Sequence, residues 1–306
     1  MNDTSEFDVV TGAFSYTGKY VTRLLLNAGG RVRTLTGHPE RTDMFGRQVE
    51  IAPLDFTDSA SLVQSLRGAS VLYNSYWVRF SHGRATFAEA VANSRILIQA
   101  AKEAGVRRIV HLSIANPSID SRLPYYSGKA QVERAIVDSG LSYAILRPTV
   151  IFGAEDILIN NIAWFARHFP VFAIPGSGQY QIQPIFAEDI ANLAVDAGRK
   201  EDNLILDVVG PEIFTFEGLV RLIATSVGSK ARLIHVRPWV ALRILHLINP
   251  IVGDVILTRE EIDGLMANLL VSKQPATGRT RFSEWLAQNA LILGTKYASE
   301  LARHYR

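Results

Sequence analysis

No cysteine occurs among the 306 residues. Disulfides, thiolate metal sites and a cysteine nucleophile are thereby excluded. The seven histidines (His38, His82, His111, His168, His235, His246 and His304) never pair at metal-ligand spacing, so no metal site is expected. A strong charge imbalance is missing too. The formal net charge is +3, spread along the chain, and the densest basic doublet, Arg107-Arg108, falls where a helix turns into a strand. Without a basic stripe interleaved with aromatics, no nucleic-acid partner is expected. Long apolar runs are also absent. The most membrane-like stretch, Trp239 to Leu257, is interrupted by Arg243, His246, Asn249, Pro250 and Asp254. A spanning helix needs about 20 mostly apolar residues. A buried amphipathic helix is the expectation there, with an interfacial helix as the alternative. Met1 to Asp8 holds three acidic residues and no apolar core, unlike a signal peptide, and a cytoplasmic location is expected.

What is present is the composition of a globular chain, 48% hydrophobic and 20% charged. Short apolar runs alternate with helical spacing: strands at Phe7–Val10, Arg31–Thr36, Val49–Pro53, Ser70–Asn74, Arg108–Ser113 and Ser142–Arg147. Between them lie helices at Lys19–Ala28, Ser59–Leu66, Phe87–Ala104 and Tyr125–Ser139, several closed by glycine. This rhythm predicts an α/β fold with a doubly wound parallel sheet. It breaks after Pro148. Ile151–Gln183 is apolar and aromatic with a turn at Pro175-Gly176-Ser177-Gly178. Ala187–Ala197 returns to helix, Leu204–Val209 reads as a seventh strand, and the pattern from Thr215 onward is mainly helical. The expected division is a nucleotide-type domain over 1–150, its sheet completed by about 185–210, and a smaller region from 151–184 and 211–306 packed against it.

The strongest local signal is Val9-Val10-Thr11-Gly12-Ala13-Phe14-Ser15-Tyr16-Thr17-Gly18, which runs from a strand into a helix. A helix N-terminus offers amides and partial positive charge to a pyrophosphate. Gly12 suits the tight turn and Gly18 close helix–strand packing, as in a Rossmann-type dinucleotide fold. Ser15 stands where glycine is usual and can offer its hydroxyl. Phe14, Tyr16 and Thr17 complete the candidate cradle. Dinucleotide sites specific for NAD place an acid at the end of the second strand. From Asp8 to Glu40 this chain has none, and Arg31, Arg33, His38 and Arg41 stand nearby. NADP is therefore the expected cofactor, with NAD as the alternative.

From Thr11 to about Arg199 the chain resembles the extended and atypical short-chain dehydrogenases/reductases, the group that includes NmrA-like proteins. Within that group it is similar to bacterial relatives of the nucleotide-binding accessory subunit of respiratory complex I. The motifs are the loop Thr11–Gly18, Leu54-Asp55-Phe56-Thr57-Asp58, Ala104 to Ser113, and Tyr125-Tyr126-Ser127-Gly128-Lys129 with Glu133. Asp156 to Trp164, Phe169-Pro170-Val171-Phe172, Gln183-Pro184 before Asp189, and Leu257 to Ile262 extend the likeness over nearly the whole chain. The resemblance implies that Asp55 contacts the adenine, with Phe56 and Asn74 also at the cofactor, and that Lys129 bonds the nicotinamide ribose. It places the family's phosphate-binding arginine near Gly37, which moves that role to His38 or Arg41.

Tyr125 and Lys129 are four residues apart on a helix and share one face. An ammonium lowers the pKa of a nearby phenol and makes it usable as an acid or base. Ser113 is the nearest hydroxyl for the third catalytic role. Two positions later, where extended members often carry it, stands Ala115; Ser118 and Ser121 are alternatives. Asn74, Tyr76, Trp77 and Phe80 follow the fourth strand, and Asn160, Trp164 and Phe165 come from the second region. As a pocket they suit an apolar or aromatic substrate. The function expected is hydride transfer to a small apolar carbonyl or quinone-like substrate, and the alternative is the holding of NAD(P)(H) as a structural or sensing ligand. A nucleotide-sugar epimerase or dehydratase is the third reading. A protein partner or homo-oligomer is left open.

Overall fold

The computed structural model describes residues 6–38 and 44–304. In chain order the elements are β1 (Phe7–Thr11), α1 (Tyr16–Asn27), β2 (Val32–Thr36), β3 (Val49–Pro53), α2 (Ser59–Leu66), β4 (Ala69–Asn74), α3 (Phe87–Ala104), β5 (Arg108–Leu112), α4 (Pro124–Asp138) and β6 (Ser142–Pro148). There follow β7 (Val150–Phe152), α5 (Leu158–His168), β8 (Val171–Pro175), β9 (Gln181–Ile182), β10 (Pro184–Phe186), α6 (Ala187–Gly198), β11 (Leu204–Val208) and β12 (Phe214–Thr215). The chain closes with α7 (Phe216–Ser226), β13 (Arg232–Val236), α8 (Pro238–Val252), α9 (Arg259–Met266), α10 (Phe282–Asn289) and α11 (Glu300–His304).

Two compact units result: Met1–Pro148 with Ala187–Val208, and Thr149–Phe186 with Val209–Arg306. The first is the doubly wound sheet of a Rossmann-type fold. Its seven strands are all parallel, in the order β11-β6-β5-β4-β1-β2-β3. The order reverses between β1 and β4, where ligands bind beyond the carboxyl ends of such sheets. Strands read as apolar runs because both faces are covered. Val9, Leu35, Leu72, Ile109 and Ile145 are fully buried with Leu62, Leu66, Leu97 and Ile136 of the helices. Asp58 caps α2 by accepting from the Ser61 amide, Thr86 caps α3 by accepting from the Glu89 amide, and Gly105 at φ +76° ends α3. Arg108, half of the basic doublet, is completely buried: its guanidinium donates to Ser142 Oγ and to the carbonyls of Ala197, Glu201 and Asp202. Half of the basic doublet is thus a structural tie.

The second unit holds three two-stranded ladders, β10–β7 and β13–β8 parallel and β12–β9 antiparallel, among α5 and α7 to α11. Phe152, Ile162, Ile182, Leu219, Phe282 and Leu286 form its core, and the Phe152 ring meets Phe282 and Trp285 edge-on at 5.1 and 5.2 Å. Helix α9 opens with a reciprocal cap between Thr258 and Glu261. One expectation fails here. Trp239 to Leu257 is not a buried amphipathic helix: along α8 only Ala241 is buried. Helical spacing does not say which side of a nearly all-apolar helix meets the core, and this one has little core to meet. Among the described residues no helix is long and apolar enough to cross a membrane.

Candidate functional site

The loop after β1 folds as its glycines require. Gly12 has φ +66°, and a Cβ at Gly18 would lie 2.0 Å from the Gly12 carbonyl oxygen. No other residue fits Gly18 without moving backbone. Ser15 is the N-cap of α1, with extended φ −79° and ψ 171°, and its Oγ accepts from the Gly18 amide at 3.3 Å. That conformation needs no glycine, which explains how serine occupies the middle position. The Ala13 amide donates to Thr34 Oγ1 at 3.0 Å and pins the turn to β2. Tyr16 and Thr17 open α1, the turn whose amides have no carbonyl partner inside a helix and serve dinucleotide cradles. The bend, the close-packed glycine pair and the capped helix fit a pyrophosphate.

Behind the loop a polar network crosses the switch point. Ser75 donates its amide to Thr11 Oγ1 and its hydroxyl to the Thr11 carbonyl, both at 2.7 Å. Asn74 accepts from the Tyr76 amide at 3.1 Å, and its Nδ2 donates to His111 Nδ1 at 3.1 Å. Among the described residues His111 Nε2 is buried with no hydrogen-bond partner. Burial, reinforced by Lys129, holds the His111 pKa far below its usual value, so the ring is neutral. Sequence reasoning placed Thr11 in the loop and Asn74 at the cofactor, and missed His111 as the support that Asn74 bonds. Thr11 and His111 each follow a pair of apolar residues near the carboxyl end of a strand, and a buried polar residue at that place is the signal.

The Tyr-x-x-x-Lys pair lies on α4, which opens with Pro124 at its first position. Tyr125 is half-buried, edge-on to Trp77 at 5.9 Å and to Phe87 at 5.7 Å. Lys129 is 3% exposed. Its Nζ donates to the Leu112 carbonyl at 2.8 Å and sits 4.7 Å from the centre of the same Trp77 ring. Burial lowers its pKa to about 7, against the opposing pull of Glu133. Trp77 also lies against Gly128, where a Cβ would come within 3.0 Å of the indole. One indole thus contacts the phenol and the ammonium and presses on the glycine between them. Ser113 is 5% exposed, and its hydroxyl donates to Glu133 Oε1 at 2.5 Å. Glu133 is itself held by Arg147 through two bonds, at 3.0 and 2.5 Å. Ala115 is buried, while the Ser118 and Ser121 hydroxyls accept from the nearby amides of Asp120 and Leu123.

Around the cofactor's expected far end, Asp55 is exposed after β3 and accepts from the Thr57 amide and hydroxyl, which lower its pKa. Phe56 packs on Tyr76 at 4.8 Å. His38 is exposed just past β2, and its amide donates to Thr36 Oγ1. Arg41 lies outside the described residues. Arg33 is no phosphate ligand, because its guanidinium grips Glu50 and the Ser65 carbonyl, and Arg31 lies at the opposite end of β2 from the site. Phe45 stacks on Phe14 at 6.2 Å and brings the loop after β2 to the phosphate loop, a contact the sequence did not signal. The substrate-side residues of the second unit are engaged within it. Asn160 bonds the Lys296 carbonyl and the Gly294 amide, and Trp164 stacks on His168 and meets Tyr297.

The comparisons agree with this geometry. A family model described as NAD(P)H-binding matches residues 12–157. A subunit of Arabidopsis thaliana, mitochondrial NADH dehydrogenase [ubiquinone] 1 alpha subcomplex subunit 9, is 22% identical over 283 residues, 86% of this chain and 70% of the relative. Its mouse counterpart is 26% identical over 70% of this chain, which spans only 59% of it. Citrobacter sp. triphenylmethane reductase complexed with NADP(H) superposes with a TM-score of 0.77 at 18% identity, over 93% of this chain and all of that one. That likeness shows the fold.

Proposed function

We propose that this chain, whose residues 12–157 are an NAD(P)H-binding domain, holds NAD(P)(H) as a structural or redox-sensing ligand, without a working Ser-Tyr-Lys proton relay. The observation that carries this is the engagement of Ser113 and Lys129. The serine hydroxyl is bonded to Glu133 and the ammonium to the Leu112 carbonyl, both nearly sealed from solvent. A relay needs these groups at the substrate oxygen and the ribose. Gly12, Phe14, Ser15, Tyr16, Thr17 and Gly18 would hold the pyrophosphate, Asp55 and Phe56 the adenine side, and Asn74 the nicotinamide side. A bound dinucleotide would supply a hydride. Trp77, packed on α4, would help to wall that end of the cleft from water.

NADP(H) is the proposed form, supported by the absence of any acid between Asp8 and Glu40 and by His38 and Arg41 after β2. A protein partner is part of the reading, supported by the relatives named as subunits of NADH dehydrogenase. A cytoplasmic location belongs to the same proposal. Native mass spectrometry of the purified chain tests it: a retained NADP(H) is expected, and a chain that neither retains nor takes up a dinucleotide contradicts it.

A second reading has its own observation. Tyr125 and Lys129 do share one face of α4, and an ammonium with its pKa near 7 suits proton exchange. On that reading the chain reduces a small apolar carbonyl or quinone-like compound with Tyr125 as the acid.

A further inference from the structure

The outward side of α8 inverts the usual pattern of a surface helix. Trp239, Leu247 and Ile251 are 53%, 75% and 82% exposed. Arg243, His246 and Pro250 are exposed on the same arc. Residues four apart stack along a helix, so Trp239, Arg243, Leu247 and Ile251 form one stripe about 18 Å long. The Arg243 guanidinium lies 5.3 Å over the Trp239 ring, the tryptophan and arginine side by side at the helix start. The helix is fixed at both ends, by Pro238 at its first position and by Gly253 at φ +62°. The exposed face is a built part of the second unit.

The sequence around it is basic, and the nearest acid before it, Glu217, is already held by Arg221 and His235. Between Glu217 and Asp254 there is no acidic residue, while Lys230, Arg232, Arg237 and Arg243 occur. All four are exposed, and among the described residues none is ion-paired. Arg232 lies on β13, which runs directly into α8. An apolar stripe with Trp at one end, in a stretch of sequence that carries unpaired cations and no acid, has the chemistry of a helix lying in a bilayer interface. The acyl region takes Trp239, Leu247 and Ile251. Arg243 can bury its stem and reach the headgroups. A protein partner or second copy would need an acidic or apolar surface to match. The cations favour a phosphate-bearing lipid surface, which supplies negative charge along the whole helix.

We propose that α8 docks the second unit onto the surface of an anionic bilayer, lying in its plane. The test is flotation of the full chain with vesicles of phosphatidylcholine alone or with about one third phosphatidylglycerol. Binding to the anionic vesicles alone, weakened by salt, is expected. Arg237→Glu and Arg243→Glu should each weaken it about fivefold or more, the effect of one surface cation. The combined Trp239→Ser, Leu247→Ser and Ile251→Ser variant should lose it, with an unfolding midpoint near the parental one. Vesicles with brominated acyl chains should quench emission in the parent by an amount that Trp239→Phe removes. Equal binding to both vesicles, no binding, or parental binding by the triple variant would overturn the proposal. So would a dimer in solution that the triple variant breaks, which would make a second copy the occupant.

Discussion

The Ser113 hydroxyl donates to Glu133 at 2.5 Å, and Arg147 grips the same carboxylate from the other side. In the sequence Ser113 reads as a catalytic hydroxyl; in the structure it is one end of a buried triad that joins α4 to β6. Ser113→Ala should therefore destabilise the fold by about 1.5–3 kcal/mol, the range for a hydrogen bond to a charged group. It should leave dinucleotide affinity unchanged. Urea unfolding beside calorimetric titration separates the two; unchanged stability with lost affinity would reverse the assignment.

The two loop glycines should fail differently. Gly12→Val places a branched side chain at φ +66° beside Ser15 Oγ and in the pyrophosphate's space. Dinucleotide affinity should fall about tenfold or more. Gly18→Ala meets the Gly12 carbonyl at 2.0 Å and should lower the unfolding midpoint even without ligand. Titration and thermal unfolding of each variant distinguish the effects.

Cofactor choice can be redirected at Gly37, where a new Cβ meets nothing within 4 Å among the described residues. Gly37→Asp supplies the acid that NAD sites carry after the second strand. The ratio of NADP(H) to NAD(H) affinity should shift toward NAD(H) by about tenfold or more, through ribose bonding and repulsion of the 2′-phosphate. An unmoved ratio at matched salt would show that the 2′ position is read elsewhere.

Lys129 predicts a pH dependence. Its folded pKa is about 7 against an ordinary 10.5. Between those values the unfolded chain binds the proton and the folded chain does not, so stability rises with pH. Burial of Lys129 thus opposes folding fully below about pH 7 and progressively less up to about 10.5. The stability of the wild type relative to Lys129→Met should therefore increase from about pH 7 to about pH 9. Urea unfolding of both proteins at the two pH values checks it; a difference that stays constant or falls would show that the ammonium is not desolvated as described.

Much of the first unit was legible because its signals are local. Asp58 and Thr86 cap helices, Gly105 ends one, and apolar runs mark strands buried on both faces. The glycine spacing from Gly12 to Gly18 located the loop for the same reason. The network of Thr11, Asn74 and His111 was not legible, because its members come from three strands brought together only by the sheet. The ties of Ser113 and Arg108 were hidden likewise, since a side chain's partner depends on the fold. In the second unit, β8 and β13 pair across a separation of about 60 residues, and nothing local announces a short parallel pair. The apolar count of α8 revealed its hydrophobicity and left its outward direction unstated.

On the proposed function the dinucleotide is held without a Tyr125-dependent proton relay. The most direct measurement is NADPH oxidation by wild type and Tyr125→Phe against a panel of quinones and aromatic aldehydes, with NADPH affinity measured in parallel. Equal affinity in the two proteins is expected, with no oxidation by the wild type that Tyr125→Phe removes. Wild-type turnover that falls ~10²–10⁴-fold in Tyr125→Phe, the loss typical of a positioned acid, with affinity intact would contradict it and establish the reductase instead.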